Sequence, residues 1–257
     1  MPTDPPAPEA APAAGGISVF LPAYNDQATI GGLVQDALEV LPRLAGDYEV
    51  VVVNDGSSDG TAAVLDELAR RYPAVRVVHH PRNRGYGGAL RSGFAHATKD
   101  LIFYTDGDGQ YDVRELALLL PHLRPGVDVV NGYQTARADG WSRKVIGTFY
   151  NRLAHFLFSV PVRQVDCDFR LLRRSALERV ELVSDSGTIC VELVHRLHRA
   201  GCVFAEVPVH HYPRRHGRSQ FFTPGRVART ALDLFTLWLR LAARNPRRPR
   251  ASVHPPP

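Results

Sequence analysis

Leu101-Ile102-Phe103-Tyr104-Thr105-Asp106-Gly107-Asp108-Gly109-Gln110 is an apolar run that ends in two carboxylates one residue apart. Alternate side chains of an extended segment share a face, so Asp106 and Asp108 can converge on one hard cation while the glycines let a ligand approach the backbone. The competing reading is a solvated Asp-Gly turn. A calcium loop of the EF-hand type is excluded, because it needs a glutamate at its twelfth position and counting from Asp106 reaches Ala117.

Working outward, the same strand-then-polar-turn pattern recurs. Ile17 to Pro22 reads as a buried strand, followed by a helix from about Gln27–Thr29 to Val40 that stops before Pro42. Glu49 to Val53 is a second β-branched run, with a helix from Thr61 to Arg71 behind it. Val75 to His79 is a third, and a Gly-rich loop then opens a helix through Phe94 and Ala97. Strand and helix alternate up to Leu101–Thr105, which predicts a doubly wound, parallel α/β sheet with ligands beyond the carboxyl ends of its strands. The second half is less regular. It reads as strands at Val127–Asn131, Phe169–Leu172 and Val203–Val209, helices at Arg143–Ser159 and Thr188–Ala200, and a basic loop at Tyr212–Phe222.

A chain of 257 residues with 44% hydrophobic content can bury one large core. Residues 1–16 and 245–257 are Pro-rich without periodicity and read as disordered tails. The first lacks the basic start and apolar core of a signal peptide. Cys167, Cys190 and Cys202 stand at no metal-ligand spacing, so they read as reduced, buried thiols of a cytosolic protein. The formal charge of +5 is concentrated near the end, where Arg214, Arg215, Arg218, Arg226, Arg229 and Arg240 are followed by more arginines. Such a cluster suits a phosphorylated ligand or an anionic membrane surface, and no nucleic-acid reading module accompanies it. Within 225–244 the pattern of Leu232, Phe235, Trp238 and Leu239 suits an amphipathic helix, either lying on a membrane or packed on the domain. The stretch is too short and too charged to cross one.

Three further polar clusters fall at strand ends: Pro22-Ala23-Tyr24-Asn25-Asp26, Asn54-Asp55-Gly56-Ser57-Ser58-Asp59-Gly60-Thr61, and Asn83-Arg84-Gly85-Tyr86-Gly87-Gly88-Ala89. Asp59 reads as a helix cap and Asp55 as a ligand contact, since a strand-end acid can bind a nucleobase or ribose. The third cluster misses the dinucleotide glycine spacing, because position 90 is Leu. It still suits a flexible loop that enters a helix beside a diphosphate.

These motifs, in this order, resemble the family 2 inverting glycosyltransferases of GT-A fold, a Rossmann-like nucleotide-diphospho-sugar transferase architecture with a central, mostly parallel sheet flanked by helices. Within the family the likeness is to bacterial polyprenyl-phosphate glycosyltransferases similar to dolichyl-phosphate mannose synthase, and it spans about Ile17 to Phe222. The resemblance implies a domain over 17–224, a nucleotide-sugar donor, Mg²⁺ or Mn²⁺, a polyprenyl-phosphate acceptor and peripheral contact with the inner face of the cell membrane. It leaves room for a homo-oligomer or a separate membrane subunit. By the same resemblance Pro22, Tyr24, Asp26, Asp55, Asn83, Gly85 and Asp106 belong to the nucleotide-sugar site. Asp106, Asp108 and Gln110 form the metal set. Arg214, Arg218 and Ser219 match an Arg-x-x-Gly-x-Ser loop for phosphate, joined on the acceptor side by Arg143, Lys144 and Glu192.

The chain departs from the family in two places. Gln164 stands where relatives usually have Asp, and Asp168 where they have a small residue, which leaves open whether the base is Asp166, Asp168 or neither. Gly132-Tyr133-Gln134 lacks the usual Gly-x-Arg arginine, for which Arg137, Arg143 or Lys144 can substitute. The acceptor decides what is needed: a hydroxyl must lose a proton during attack, whereas a phosphate monoester is already largely dianionic at pH 7 and needs cations more than a base. A soluble family 2 enzyme with another acceptor, and a non-catalytic nucleotide-sugar binding module, are the alternatives.

Overall fold

The computed structural model describes residues 15–135, 141–214 and 224–243. The expectations for tails 1–16 and 245–257 fall, Gly15 and Gly16 apart, outside the described residues, as do those for Arg137, Arg218 and Ser219. The side chains of Arg143 and Lys144 also lie outside them.

Seven strands form one mixed sheet in the order β3-β2-β1-β4-β6-β5-β7. Helices follow the strands in the first half: β1 (Ile17–Ala23), α1 (Ile30–Leu44), β2 (Tyr48–Asn54), α2 (Thr61–Arg71), β3 (Val75–His79), α3 (Gly85–His96) and β4 (Leu101–Thr105). Then come α4 (Leu116–Leu119), β5 (Val129–Gln134), α5 (Trp141–Phe158), β6 (Phe169–Arg173), α6 (Arg174–Leu177), α7 (Ile189–Arg199), β7 (Phe204–Val209) and α8 (Pro224–Ala243). β6 alone runs against its neighbours, pairing antiparallel with both β4 and β5. The expected mostly parallel α/β sheet is present.

Strand side chains alternate between two buried faces, which is why these strands read as continuous apolar runs. Val19 and Leu21 of β1, Val50 and Val52 of β2 and Phe103 of β4 enter one core with α1 and α2. Phe20, Val51, Ile102 and Tyr104 enter the other with α3 and α7. There Phe20 stacks on Tyr104 with centroids 5.2 Å apart, and a Cβ on Gly93 would lie 2.3 Å from the Phe20 ring. Glycine lets α3 approach the sheet that closely.

Among the boundaries that differ from expectation, those of α1 and β5 move most. α1 continues through Pro42 to Leu44. Proline removes one N–H from the last turn, but Leu41 and Leu44 are buried there and the Ala45 N–H still reaches the Leu41 carbonyl at 2.9 Å. β5 starts at Val129, later than expected, because Gly126 holds a turn at φ +85° and pairing with β6 and β7 begins only at Val129. β5 then extends to Gln134 along β7.

α8 answers the question left open by its sequence. Leu234 and Leu237 are buried in a third cluster with Ala154 and Phe158 of α5 and Val191 and Val194 of α7. Leu232, Phe235 and Leu239 stay exposed on another side of the same helix. Among the described residues no helix is long and apolar enough to cross a membrane.

Far from the strand ends that carry the polar motifs, Glu49 is a buried carboxylate that accepts from Ser18 Oγ (2.7 Å), from the Thr98 N–H (2.5 Å) and hydroxyl (2.7 Å), and from Arg76 (3.0 Å). Burial pushes its pKa up, but these bonds outweigh burial and hold it below the ordinary carboxylate value. A depressed folded-state pKa means stability that is present above the unfolded-state pKa and lost as pH falls through the folded value. Glu49→Gln is expected to cost about 1.5–3 kcal/mol at neutral pH. Denaturant unfolding across pH should show the gap between variant and wild type narrowing below about pH 4.

Candidate active site

The order β3-β2-β1-β4 reverses direction between β1 and β4, since α1 carries the chain one way from β1 and α3 returns it past β1 to β4. At such a switch point the loops leaving the two strands diverge and open a crevice. The first and fourth polar motifs meet there. Gly107 abuts β1 so closely that a Cβ would lie 2.5 Å from the Pro22 carbonyl, and Thr29 Oγ1 donates to the Gly107 carbonyl at 2.9 Å. Gly109 needs its left-handed φ of +74°, which turns the chain back after Asp108. Asp26, Asp106 and Asp108 are thereby gathered at one point. Tyr24 is exposed beside them, and its N–H donates to Asp26 Oδ2 at 2.9 Å.

β2 delivers Asp55, which is buried. Its Oδ1 accepts from His80 Nδ1 at 2.6 Å and from the Arg84 N–H at 2.9 Å. A carboxylate only accepts and Arg84 only donates, so the imidazole carries its proton on Nδ1 and turns Nε2 toward Arg84 (3.4 Å) and Ser92 (2.8 Å). Asp55 thus braces the start of the Gly-rich loop. Asn83 Oδ1 accepts from the Gly85 N–H at 2.9 Å, and Gly85 adopts φ +79°. Asp59 stands one residue before Gly60, the N-cap of α2, and still accepts from the first helical N–H, that of Thr61, at 3.0 Å.

Antiparallel β6 lies against β4 and brings the acids of the 166–168 loop to Asp106. Asp168 is buried, accepting from the Tyr104 hydroxyl (3.3 Å) and from Cys190 Sγ (3.2 Å), with Arg170 4.0 Å away. Arg170 is fully buried and ties the loop together: Nε donates to Asn131 Oδ1 at 2.6 Å, and its terminal nitrogens donate to Tyr104 and to the carbonyls of Val165 and Cys167. Asp166 is half-buried and accepts from Asn151 at 2.7 Å. Tyr86, on the first turn of α3, donates to Asp106 Oδ1 at 2.6 Å.

Sequence reading missed Tyr86, Tyr104, Arg170 and Cys190. One signal was available: Arg170 is a cation inside the apolar strand Phe169–Leu172, where only a buried partner could keep it. Tyr104 stands two residues before Asp106 but reads as part of an apolar run, while Tyr86 and Cys190 are distant in the chain and reach the acids only because α3 and α7 pack on the sheet. Gln164 is explained differently from a lost acid. Its Oε1 accepts from the Gln134 N–H (2.8 Å) and its amide donates to the Gln134 carbonyl (3.3 Å), a pairing of the 164 loop with β5 that a carboxylate could not complete.

Glu192, expected either on the acceptor side or as a solvent-facing charge of its helix, is not solvent-facing. It is fully buried, and its carboxylate accepts from the Ser184 N–H (2.8 Å), the Val183 N–H (3.2 Å) and Arg196 (2.7 Å). Its buried lone pairs serve the 183–184 backbone. Gln110 Nε2 donates to the Tyr212 carbonyl at 3.2 Å, leaving Oε1 as the end open to a cation. Arg214 reaches back over the site and donates to Asp108 Oδ2.

A model of glycosyl transferase family 2 matches residues 18–181. The chain belongs to that family. An undecaprenyl-phosphate 4-deoxy-4-formamido-L-arabinose transferase of Enterobacter sp. (strain 638) is 32% identical over 207 residues, which is 80% of this chain and 62% of that protein. One of the same description from Edwardsiella ictaluri is 31% identical over the same shares. This chain therefore spans less than two thirds of those relatives. Among solved structures, glucosyl-3-phosphoglycerate synthase of Mycobacterium tuberculosis, bound to Mn²⁺, UDP and glucosyl-3-phosphoglycerate, aligns with a TM-score of 0.67 at 21% identity, over 88% of this chain and 80% of that one. A mannosyltransferase of Pyrobaculum calidifontis bound to GDP-mannose and Mn²⁺ gives 0.66 at 24% identity, over 91% and 65%. The fold is GT-A.

The acids of this family 2 chain fit a divalent cation. Burial, then the charges of Asp168 and Asp108, raise the Asp106 pKa well above the carboxylate range. Burial also raises Asp26, against the Tyr24 N–H, and Asp108 raises it further. The cations near them among the described residues are Arg214 on Asp108 and Arg170 by Asp168, so Asp106 has negative neighbours and no cation of its own. No ready-made cluster of three or more His, Cys, Asp or Glu ligands occurs among the described residues. Two carboxylates with open positions is the donor set that Mg²⁺ or Mn²⁺ takes when phosphate oxygens complete its shell.

Proposed function

We propose that this chain transfers a hexose, with inversion, from a nucleotide sugar of the GDP-mannose or UDP-glucose type to a polyprenyl phosphate, working as a peripheral protein at the cytoplasmic face of a membrane. The observation that carries the acceptor assignment is the surface of α8. Leu232, Phe235 and Leu239 expose 66%, 51% and 48% of their surface on one side of the helix. Beside them a groove of about 250 Å³ runs between α8 and the 184–188 loop, lined by Arg229, Asp233, Thr236 and Arg240. An apolar stripe next to arginines matches the two chemistries of a lipid phosphate. The undecaprenyl-phosphate relatives support the same reading.

A divalent ion held by Asp106 and Asp108 would neutralise the nucleoside diphosphate as it leaves. The chain's own residues do the rest. Pro22, Tyr24, Asp26 and Asp55 line the nucleotide side of the crevice, and Asn83 and Gly85 shape the loop beside the diphosphate. A phosphate acceptor reaches the anomeric carbon already charged, so Asp166 and Asp168 need not strip a proton from it. Arg214, which donates to Asp108, would be available to pair with the incoming phosphate if that acid held a cation, since a guanidinium binds phosphate bidentately. Arg143, Lys144, Arg218 and Ser219 are assigned to the same acceptor side.

The test is a donor screen with undecaprenyl phosphate and Mn²⁺, reading radiolabel in the organic phase. Label should enter the lipid with one donor and stop with chelator. Label retained on water-soluble acceptors would move the assignment to a soluble family 2 enzyme. No turnover of any donor would leave a nucleotide-sugar binding module.

A further inference from the structure

We propose that Tyr86 is a positioning residue for sugar transfer: its hydroxyl holds Asp106 in the orientation that engages the cation and diphosphate. The inference rests on the metal assignment above.

Tyr86 Oη, 2.6 Å from Asp106 Oδ1, makes the one hydrogen bond to the Asp106 carboxylate among the described residues. That bond engages Oδ1 and leaves Oδ2 for a ligand. The charge of nearby Asp168 raises the Asp106 pKa, and the bond from the Tyr86 hydroxyl acts in the opposite direction. Packing alone does not require it. A phenylalanine would fill the same space against the core between the sheet, α3 and α7, whereas only the hydroxyl can donate to the carboxylate.

The backbone under Tyr86 is clamped from both sides. Gly87 N–H donates to the Asp185 carbonyl at 2.9 Å, and Arg91 pairs with the Asp185 carboxylate. A Cβ on Gly85 would lie 2.5 Å from the Asp185 carbonyl oxygen, and one on Gly87 2.2 Å from that of Ser184. Glycine at both positions lets the 184–185 backbone press directly on the first turn of α3. That backbone is in turn held by buried Glu192 through the N–H groups of Val183 and Ser184. A continuous series of fixed contacts therefore runs from α7 through the 183–185 loop and α3 to the Asp106 carboxylate. It gives Glu192 a supporting part in the same device.

The experiment uses Tyr86→Phe in the full chain. Free Mn²⁺ is followed by electron paramagnetic resonance during titration with UDP or GDP, whichever the wild type binds, and kcat and KM are measured for donor and acceptor. Loss of a hydrogen bond to a charged group predicts roughly tenfold weaker Mn²⁺ binding and a comparable fall in kcat, with acceptor KM within about twofold. Thermal unfolding should shift by no more than about 3 °C. Wild-type Mn²⁺ affinity in Tyr86→Phe overturns the inference, and a much lower melting temperature with that affinity unchanged assigns Tyr86 to packing instead. A wild-type protein that binds no Mn²⁺ in the presence of nucleotide overturns the metal assignment and this inference together. Normal Mn²⁺ binding by wild type without transfer to lipid refutes only the acceptor assignment.

Discussion

Asp106→Asn should lower kcat/KM for the donor by about 10³-fold or more, the equivalent of roughly 4 kcal/mol of transition-state stabilisation. The substitution keeps the shape of the side chain and leaves an oxygen for the Tyr86 hydroxyl, so the fold should survive. What it removes is a charge that the neighbouring acids Asp168, Asp108 and Asp26 act upon. Burial and the charges of Asp168 and Asp108 already make ionisation of Asp106 costly. The same arrangement rewards a cation, because attraction in a partly desolvated site is much stronger than in water. An amide gives a cation little reason to bind. The variant should therefore require much more Mn²⁺ for its residual turnover, while its melting temperature without metal should equal or exceed that of the wild type, since one source of repulsion is gone. Activity within tenfold of wild type at equal Mn²⁺ would remove Asp106 from the donor side of the reaction.

Arg170→Met should be the most damaging single change to stability. Arg170 is fully buried, and its guanidinium serves Asn131, Tyr104 and the carbonyls of Val165 and Cys167, with the Asp168 carboxylate 4.0 Å away. Methionine fits the volume but leaves those acceptors without a donor and Asp168 without its cation. Removing one partner of a buried charged network costs about 3–5 kcal/mol, a large share of the 5–15 kcal/mol that holds a typical domain together. Denaturant unfolding should show that loss. Arg170→Lys should recover only part of it, since one ammonium cannot reach the separate partners of a planar fork. If Arg170→Met unfolded at the wild-type midpoint, the network around Asp168 would be shown to contribute no stability.

The GT-A architecture was legible in the chain because its signals are local. Buried parallel strands read as unbroken apolar runs, helices announce themselves by their spacing, and each of the four early motifs stands directly after the strand that carries it. The boundaries of α2, β3 and β4 could be named to the residue for this reason. Where a local rule met tertiary packing it lost, as at Pro42, where buried Leu41 and Leu44 hold α1 together past the proline.

The assembly of the site was another matter. Sequence alone determined that Asp26, Asp55, Asp106 and Asp108 stand at strand ends and that an arginine-rich segment follows them. Only the tertiary structure decided which of them meet. The reversal of strand order between β1 and β4 joins Asp26 to Asp108, and an antiparallel β6 against β4 brings Asp168 and Arg170 to Asp106. The close contact of two glycines with the 184–185 backbone sets Tyr86 on the same carboxylate. The physical reason is range: strand and turn propensities act over a few neighbouring residues. The position of a hydroxyl against a carboxylate depends instead on how the whole sheet is ordered and on which backbones can touch.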